Sequence, residues 1–294
     1  MVRSIAHIFL FCLFINSAHG QVEQKKIGSL PAELKETSGL IYYQNKYLLS
    51  HNDGGNPSEL FVLNLKGELV KKIEILDTKN RDWEDITQDH KGRVFIGDFG
   101  NNDNERKECS IYILPQNFID QKEVLPEKIS FTYEDQNKYP PKPSELNYDC
   151  EGFICHGDKI FLFTKCRTKP FTGESRIYEL PAKKGNHTAK YQGSVFLCDL
   201  GWQFCSVTSA ASNANGQVIV LLTYSKLFIL TNFDTNKFWK ANIHSIALPL
   251  VKQREAICFG EKNNLYMTDE YKMGFGGGNL YELTFNLKKT DEKD

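Results

Sequence analysis

The chain has almost no net charge, few methionines and no cysteine pair in CxxC spacing. Its 36 Lys and Arg nearly balance its 37 Asp and Glu, for a formal net charge of −1. No global field therefore draws it to nucleic acid. Only His156 stands next to a cysteine, so a zinc site lacks its usual ligand spacing. After residue 20 no apolar run is long enough to cross a bilayer. There is no GxSxG elbow, no P-loop and no Ser/His/Asp set identifiable by spacing. The GFGGGN stretch precedes a strand rather than a helix, so it reads as a loop and not as a dinucleotide fingerprint. An enzyme built from this sequence would depend on a metal.

What is present begins with a leader. MVRS carries a basic residue, IAHIFLFCLFINSA is apolar, and small residues end the segment near Gly20. Residues 1–20 read as a signal peptide cleaved before Gln21, with an uncleaved anchor as the alternative. The expected address is secreted or periplasmic, with one domain over 21–288 and a charged tail at 289–294. Removing Cys12 leaves an odd number of cysteines, so at least one thiol is free or pairs outside the chain. Cys150, Cys155 and Cys166, and separately Cys198 and Cys205, lie close enough in sequence to pair, and an exported protein permits disulfides. Asn186-His187-Thr188 is a glycosylation sequon if the host is eukaryotic.

Aromatics make up 12% of residues and are spread evenly, which suits a β-rich core. Short strands and turn signals recur, and no long amphipathic helix interrupts them. Five segments share one order of elements. They open with ETSGLIYY, DWEDITQD, DCEGFICH, SVTSAASN and QREAICF, and each continues into a strong apolar strand and then a third strand. Their starts are roughly 46–67 residues apart, the scale of one four-stranded propeller blade. The first four have a fourth strand (LVKKIEIL, EKISFTYE, AKYQGSVFL, ANIHSIALPL), and the fifth lacks one. The N-terminal KKIGSL supplies it, closing the ring and leaving no unpaired edge. The expected fold is all-β, a five-bladed β-propeller with an N-terminal strand completing the last blade. A β-sandwich does not explain five similar units, and the polar, Pro-rich NKYPPKPSE stretch argues for a loop rather than a sixth blade.

In a propeller the innermost strands line the axis. The matched positions at their starts are Ser38, Glu84, Glu151, Ser209 and Glu255. Three carboxylates held close together repel, and a cation removes that cost. An all-oxygen ring suits Ca²⁺, with Mg²⁺ as second choice because it demands stricter octahedral geometry. In this reading the Glu84 carboxylate faces the axis while Trp83 packs between blades. The ends of the second strands add His51, Asn52 and Asp53; Asp98, Asn101 and Asn102; Lys165 and Arg167; Tyr224 and Lys226; and Asp269, Glu270 and Lys272. Turn chemistry alone accounts for Asn and Gly there. Asp53, Asp98 and Glu270 follow apolar strands and are candidates to activate a water, with Lys165 and Arg167 as anion contacts.

The order Ser, Glu, Glu, Ser, Glu on five inner strands resembles the calcium-activated nucleotidases (apyrases), which are secreted five-bladed propellers with a central Ca²⁺. DWEDI followed by IGDFGNN also resembles a group of uncharacterised exported bacterial propeller proteins. The resemblance implies the fold, the metal and hydrolysis of a phosphate ester or anhydride. The basic residues that would hold nucleotide phosphates match only loosely, at Lys165 and Arg167. The alternative is a non-catalytic propeller, with structural Ca²⁺, that binds a glycan, peptide or protein partner. Either way the expected ligand is a small anion or glycan at the axial mouth of a monomer.

Overall fold

The computed structural model describes residues 22–285, and its regular structure is almost entirely strand. Strand β1 spans Val22–Ser29. The first blade follows as β2 (Thr37–Tyr43), β3 (Tyr47–Asn52), β4 (Glu59–Leu63) and β5 (Leu69–Ile75). The second is β6 (Trp83–Gln88), β7 (Val94–Asp98), β8 (Cys109–Ile113) and, after the two-residue β9 (Glu123–Val124), β10 (Glu127–Tyr133). Blade three is β11 (Asp149–His156), β12 (Lys159–Lys165), β13 (Glu174–Pro181) and β14 (Gly185–Phe196). Blade four is β15 (Ser209–Ser212), β16 (Ile219–Leu222), β17 (Lys226–Thr231) and β18 (Asn242–Ala247). The last is β19 (Arg254–Phe259), β20 (Leu265–Asp269) and β21 (Asn279–Phe285).

Each blade is an antiparallel meander, and the innermost strands β2, β6, β11, β15 and β19 pack side by side in cyclic order. Among the described residues these five units form a β-propeller. Strand β1 pairs antiparallel with β21, from Ser29 opposite Asn279 to Val22 opposite Phe285, and so completes the last blade as the repeat count requires. The segment 134–148 holds only a 3-10 turn at Pro143–Glu145, and the described residues contain no sixth blade.

Period-two alternation explains how the blades stack. In β7, Phe95 faces blade three while Val94 and Ile96 face blade one. The same logic produces five apolar clusters, one in each seam between neighbouring blades. Trp83 is fully buried in the first of these seams, edge-on to His51 at 5.4 Å. Burying one such large side chain contributes about 1.5–3 kcal/mol.

Two features lay beyond the sequence pattern. Strand β14 starts at Gly185, ahead of the expected 189. Its first half pairs in parallel with β10, which fuses blades two and three into one eight-stranded sheet. Strand β9 extends blade one beyond β5. Of the cysteines grouped by sequence, Cys198 and Cys205 form a disulfide, with Cα atoms 5.4 Å apart, across the one-turn helix α1 (Trp202–Cys205). Cys150, Cys155 and Cys166 are unpaired. Residues 1–21 and 286–294, which carry the expected leader and tail, lie outside the described residues.

Candidate functional site

Four of the five inner strands begin with a bulge. The residue left out of the pairing is Gly39 in β2, Glu84 in β6, Glu151 in β11 and Glu255 in β19. A bulge re-aims the extra side chain away from the ladder. That local irregularity brings three glutamates, rather than their neighbours, to one mouth of the ring. In β15 the pairing runs unbroken from Ser209.

The register also moves one expected position. Ser38 pairs with His51, and the residue equivalent to the glutamates is Gly39. Gly39 has φ +75°, and a Cβ there would lie 2.7 Å from Ile86 N, so blade one contributes no side chain at this level. The Ser38 hydroxyl donates to the Glu84 carbonyl at 2.5 Å. The Ser209 hydroxyl donates to Asp85 Oδ1 at 3.2 Å. Both hydroxyls are occupied by the fold.

Asp85 lies one residue further along than the bulged glutamates and has no counterpart in the other blades. Fully buried, its carboxylate accepts from Ile86 N and Ser209 Oγ on one oxygen and from Phe153 N and Ala210 N on the other. Burial raises its pKa well above the usual range, against the pull of those four donors. It ties blades two, three and four together across the axis. At the other end of the ring a cavity of ≈ 1030 Å³ opens between the first hairpins, lined by Gln44, Gln88, His156, Asn213 and Lys262 among others.

On the glutamate side the charges separate into two groups. Lys165, almost fully buried, reaches Glu151 Oε1 at 2.9 Å and stands 5.5 Å over the Tyr224 ring. Arg167 Nε bonds Asp149 Oδ2 at 2.6 Å, and its Nη2 reaches Glu151 at 3.5 Å and also Asn102. These two cations neutralise Asp149 and Glu151. Glu84 shares a second cluster with Asp53 and Asp82, in which one oxygen of each carboxylate lies within 4.8 Å of the others. Glu84, Asp149 and Glu151 meet the same limit, so Glu84 belongs to both.

Burial, followed by neighbouring carboxylates, raises the pKa of this group. Asp82 is pushed to about 7, Glu84 and Glu151 go well above the usual range, and Asp53 rises despite the backbone donor at Gly54. Burial lifts Glu255 to about 7 against Lys165, and burial with the adjacent Glu255 lifts Glu270 to about 8.

Asp98, expected at the same rim, serves the fold. It pairs with Arg106 at 3.0 Å, accepts from Asp82 N and meets the Tyr112 hydroxyl. Asp269 is likewise held by Lys252, Asn279 and Tyr281. Asp82 and Asp149 were not among the expected residues. Their signal was available, because Asp82-Trp-Glu84 and Asp149-Cys-Glu151 repeat one Asp-x-Glu pattern on successive blades. Beside Arg167 a second cavity of ≈ 730 Å³ is walled by Pro140, Pro143, Phe171 and Trp202.

No family model matches the chain, and no curated protein matches it in sequence. Solved structures do resemble it. The major allergen Mala s 1 of Malassezia sympodialis superposes with a TM-score of 0.58 at 12% identity, covering 89% of this chain and 96% of that one. A candidate gluconolactonase gives 0.50 at 13% identity, covering 90% and 92%. The β-propeller domain of Myceliophteria thermophila Cps50 (Swd1) gives 0.45 at 7%, covering 89% and 99%. At these identities the likeness shows the fold alone.

Proposed function

We propose that the protein is an exported propeller that hydrolyses a small anionic substrate, a phosphate ester or anhydride, at its acidic mouth with a divalent cation. The reading is carried by Arg167. Its Nε and Nη2 are anchored to Asp149, Asn102 and Glu151, while among the described residues Nη1 has no partner and the side chain stays 23% exposed. A rigid guanidinium with one free edge is suited to a phosphoryl oxygen. Lys165 is buried against Glu151 and positions that carboxylate rather than meeting substrate. Export is supported by the leader sequence and by the Cys198–Cys205 disulfide, a bond typical of oxidising compartments.

The carboxylates fit a hard cation, since all the donors are oxygens, and Ca²⁺ suits them better than Mg²⁺. When bound, such an ion supplies charge neutralisation at the phosphoryl oxygens. Arg167 orients the phosphoryl group. Water attacks phosphorus, the bond to the leaving oxygen breaks, and Glu270 takes the proton. Glu270 makes no ion pair among the described residues, and with its pKa near 8 the ionised fraction that accepts the proton grows as pH rises through neutrality. The Pro- and Trp-walled cavity beside Arg167 offers an apolar seat for the leaving group.

A panel of nucleotides and phosphomonoesters tests this. Turnover is expected to vanish with EDTA and return with Ca²⁺, and Arg167→Ala should lower kcat/KM by about 10²-fold. Absence of turnover across the panel would leave the second reading, a non-catalytic mouth that binds a glycan, peptide or protein partner. One observation favours it: on the loop beside Glu270, Met273 and Phe275 are 88% and 92% exposed.

A further inference from the structure

We infer that a divalent cation is seated off the axis, in the seam between blades one and two, by the carboxylates of Asp53, Asp82 and Glu84. This shares the cation of the proposed function but not its hydrolysis. An axial ring of five oxygens is not what the side chains form. Gly39 offers no side chain, and Ser38 and Ser209 are hydrogen-bonded within the fold. Glu151 is neutralised by Lys165 and Arg167, and Glu255 belongs to neither three-carboxylate cluster.

The seam differs in having no cation of its own. Asp53, Asp82 and Glu84 make no salt bridge among the described residues. The nearby Arg106 is spent on Asp98. Glu84 is only 6% exposed, yet its carboxylate has no hydrogen-bond or ion-pair partner among those residues, although it sits among acidic oxygens. Burying an unpartnered carboxylate is costly unless it is protonated or paired, and a bound cation is the partner that three converging carboxylates can share.

The backbone is cut to fit. Asp82 lies between two glycines from neighbouring loops. A Cβ at Gly54 would lie 2.6 Å from Asp82 Oδ1. One at Gly100 would overlap Glu84 Oε1 and lie 2.5 Å from Asp82 Oδ2. Close approach of bare backbone leaves the three carboxylates free to converge on one point. Oxygen donors with a charge of −3 select a hard ion, Ca²⁺ first, and water completes the shell. Asp149, which joins Glu84 and Glu151 in the other three-carboxylate group, is held by Arg167.

The test measures Ca²⁺ binding by titration calorimetry on the folded chain, without substrate, so its outcome is independent of catalysis. Asp82→Asn loses no side-chain hydrogen bond and is expected to weaken Ca²⁺ at least about tenfold. Gly100→Ala keeps every charge and should weaken it as much, by displacing Glu84 and Asp82. Glu255→Gln, at an axial-ring position, should change affinity by less than about twofold. Circular dichroism establishes that each variant is folded. Equal losses in Glu255→Gln and Asp82→Asn would restore the axial ring and overturn the seam. Wild-type protein that takes up no Ca²⁺ would overturn it too. Ca²⁺ binding as inferred, with no turnover of any substrate, would uphold the seat and defeat the hydrolase reading.

Discussion

Asp85 illustrates what a single residue can do at the centre of a ring. Its four donors come from blades two, three and four, so its removal leaves buried N–H groups unpaired on three blades at once. Asp85→Ala is therefore expected to cost roughly 3 kcal/mol or more in urea unfolding at neutral pH. The repeat singled out Glu84 and passed over Asp85 beside it, because only the bulge shows which of two adjacent acids enters the axis and which goes to the mouth. Glu255 and Glu270 carry a second, pH-dependent consequence. Their folded pKa values, about 7 and about 8, lie above the ordinary 4.5. The folded state therefore binds more protons, and the stability they contribute is present below about pH 4.5 and is lost as pH rises through 7–8. In chelator the melting temperature should fall across that window. A melting temperature that climbs from pH 5 to pH 8 would contradict it.

At the scale of the element, the strands were legible and their irregularities were not. The strong apolar runs of β7, β12 and β20 signalled buried strands. The bulges left no comparable mark, which is why Ser38 stood in for Gly39. What the repeat did carry was Asp-x-Glu on blades two and three, a pattern visible once strand starts are aligned on pairing rather than on residue type. The tightness of these starts is testable at Gly152, where a Cβ would lie 2.8 Å from Ala210 N and 2.9 Å from Ser209 C. Those neighbours are backbone and cannot swing aside. Gly152→Ala should destabilise by about 1–3 kcal/mol. Gly157→Ala meets nothing within 4 Å and is strained only by its φ of +61°, so it should cost no more than about 1 kcal/mol. Equal denaturation midpoints for the two variants would show that the blades have room to part.

At the scale of the whole molecule, closure was the most legible feature, because five similar units with one missing outer strand allow few topologies. The fusion of blades two and three through β10 and β14 was not legible. Parallel pairing between strands distant in sequence has no local signal. Removing residues 22–29 should expose the edge of β21, lower the melting temperature by several degrees and promote self-association seen by size exclusion. A truncated chain as stable and monomeric as the parent would mean that β1 is ornamental. The geometry of that closing pair has a mechanical side. Val22 stands opposite Phe285 at one end of the pair, and Ser29 opposite Asn279 at the other. A force that pulls the two ends of the chain apart therefore falls on one pair at a time, peeling β1 away like a zip instead of shearing all its bonds together. Closure by this pair should therefore give way to a smaller tension than a sheared pair of the same length would bear. A tether at only one end leaves that seam unloaded.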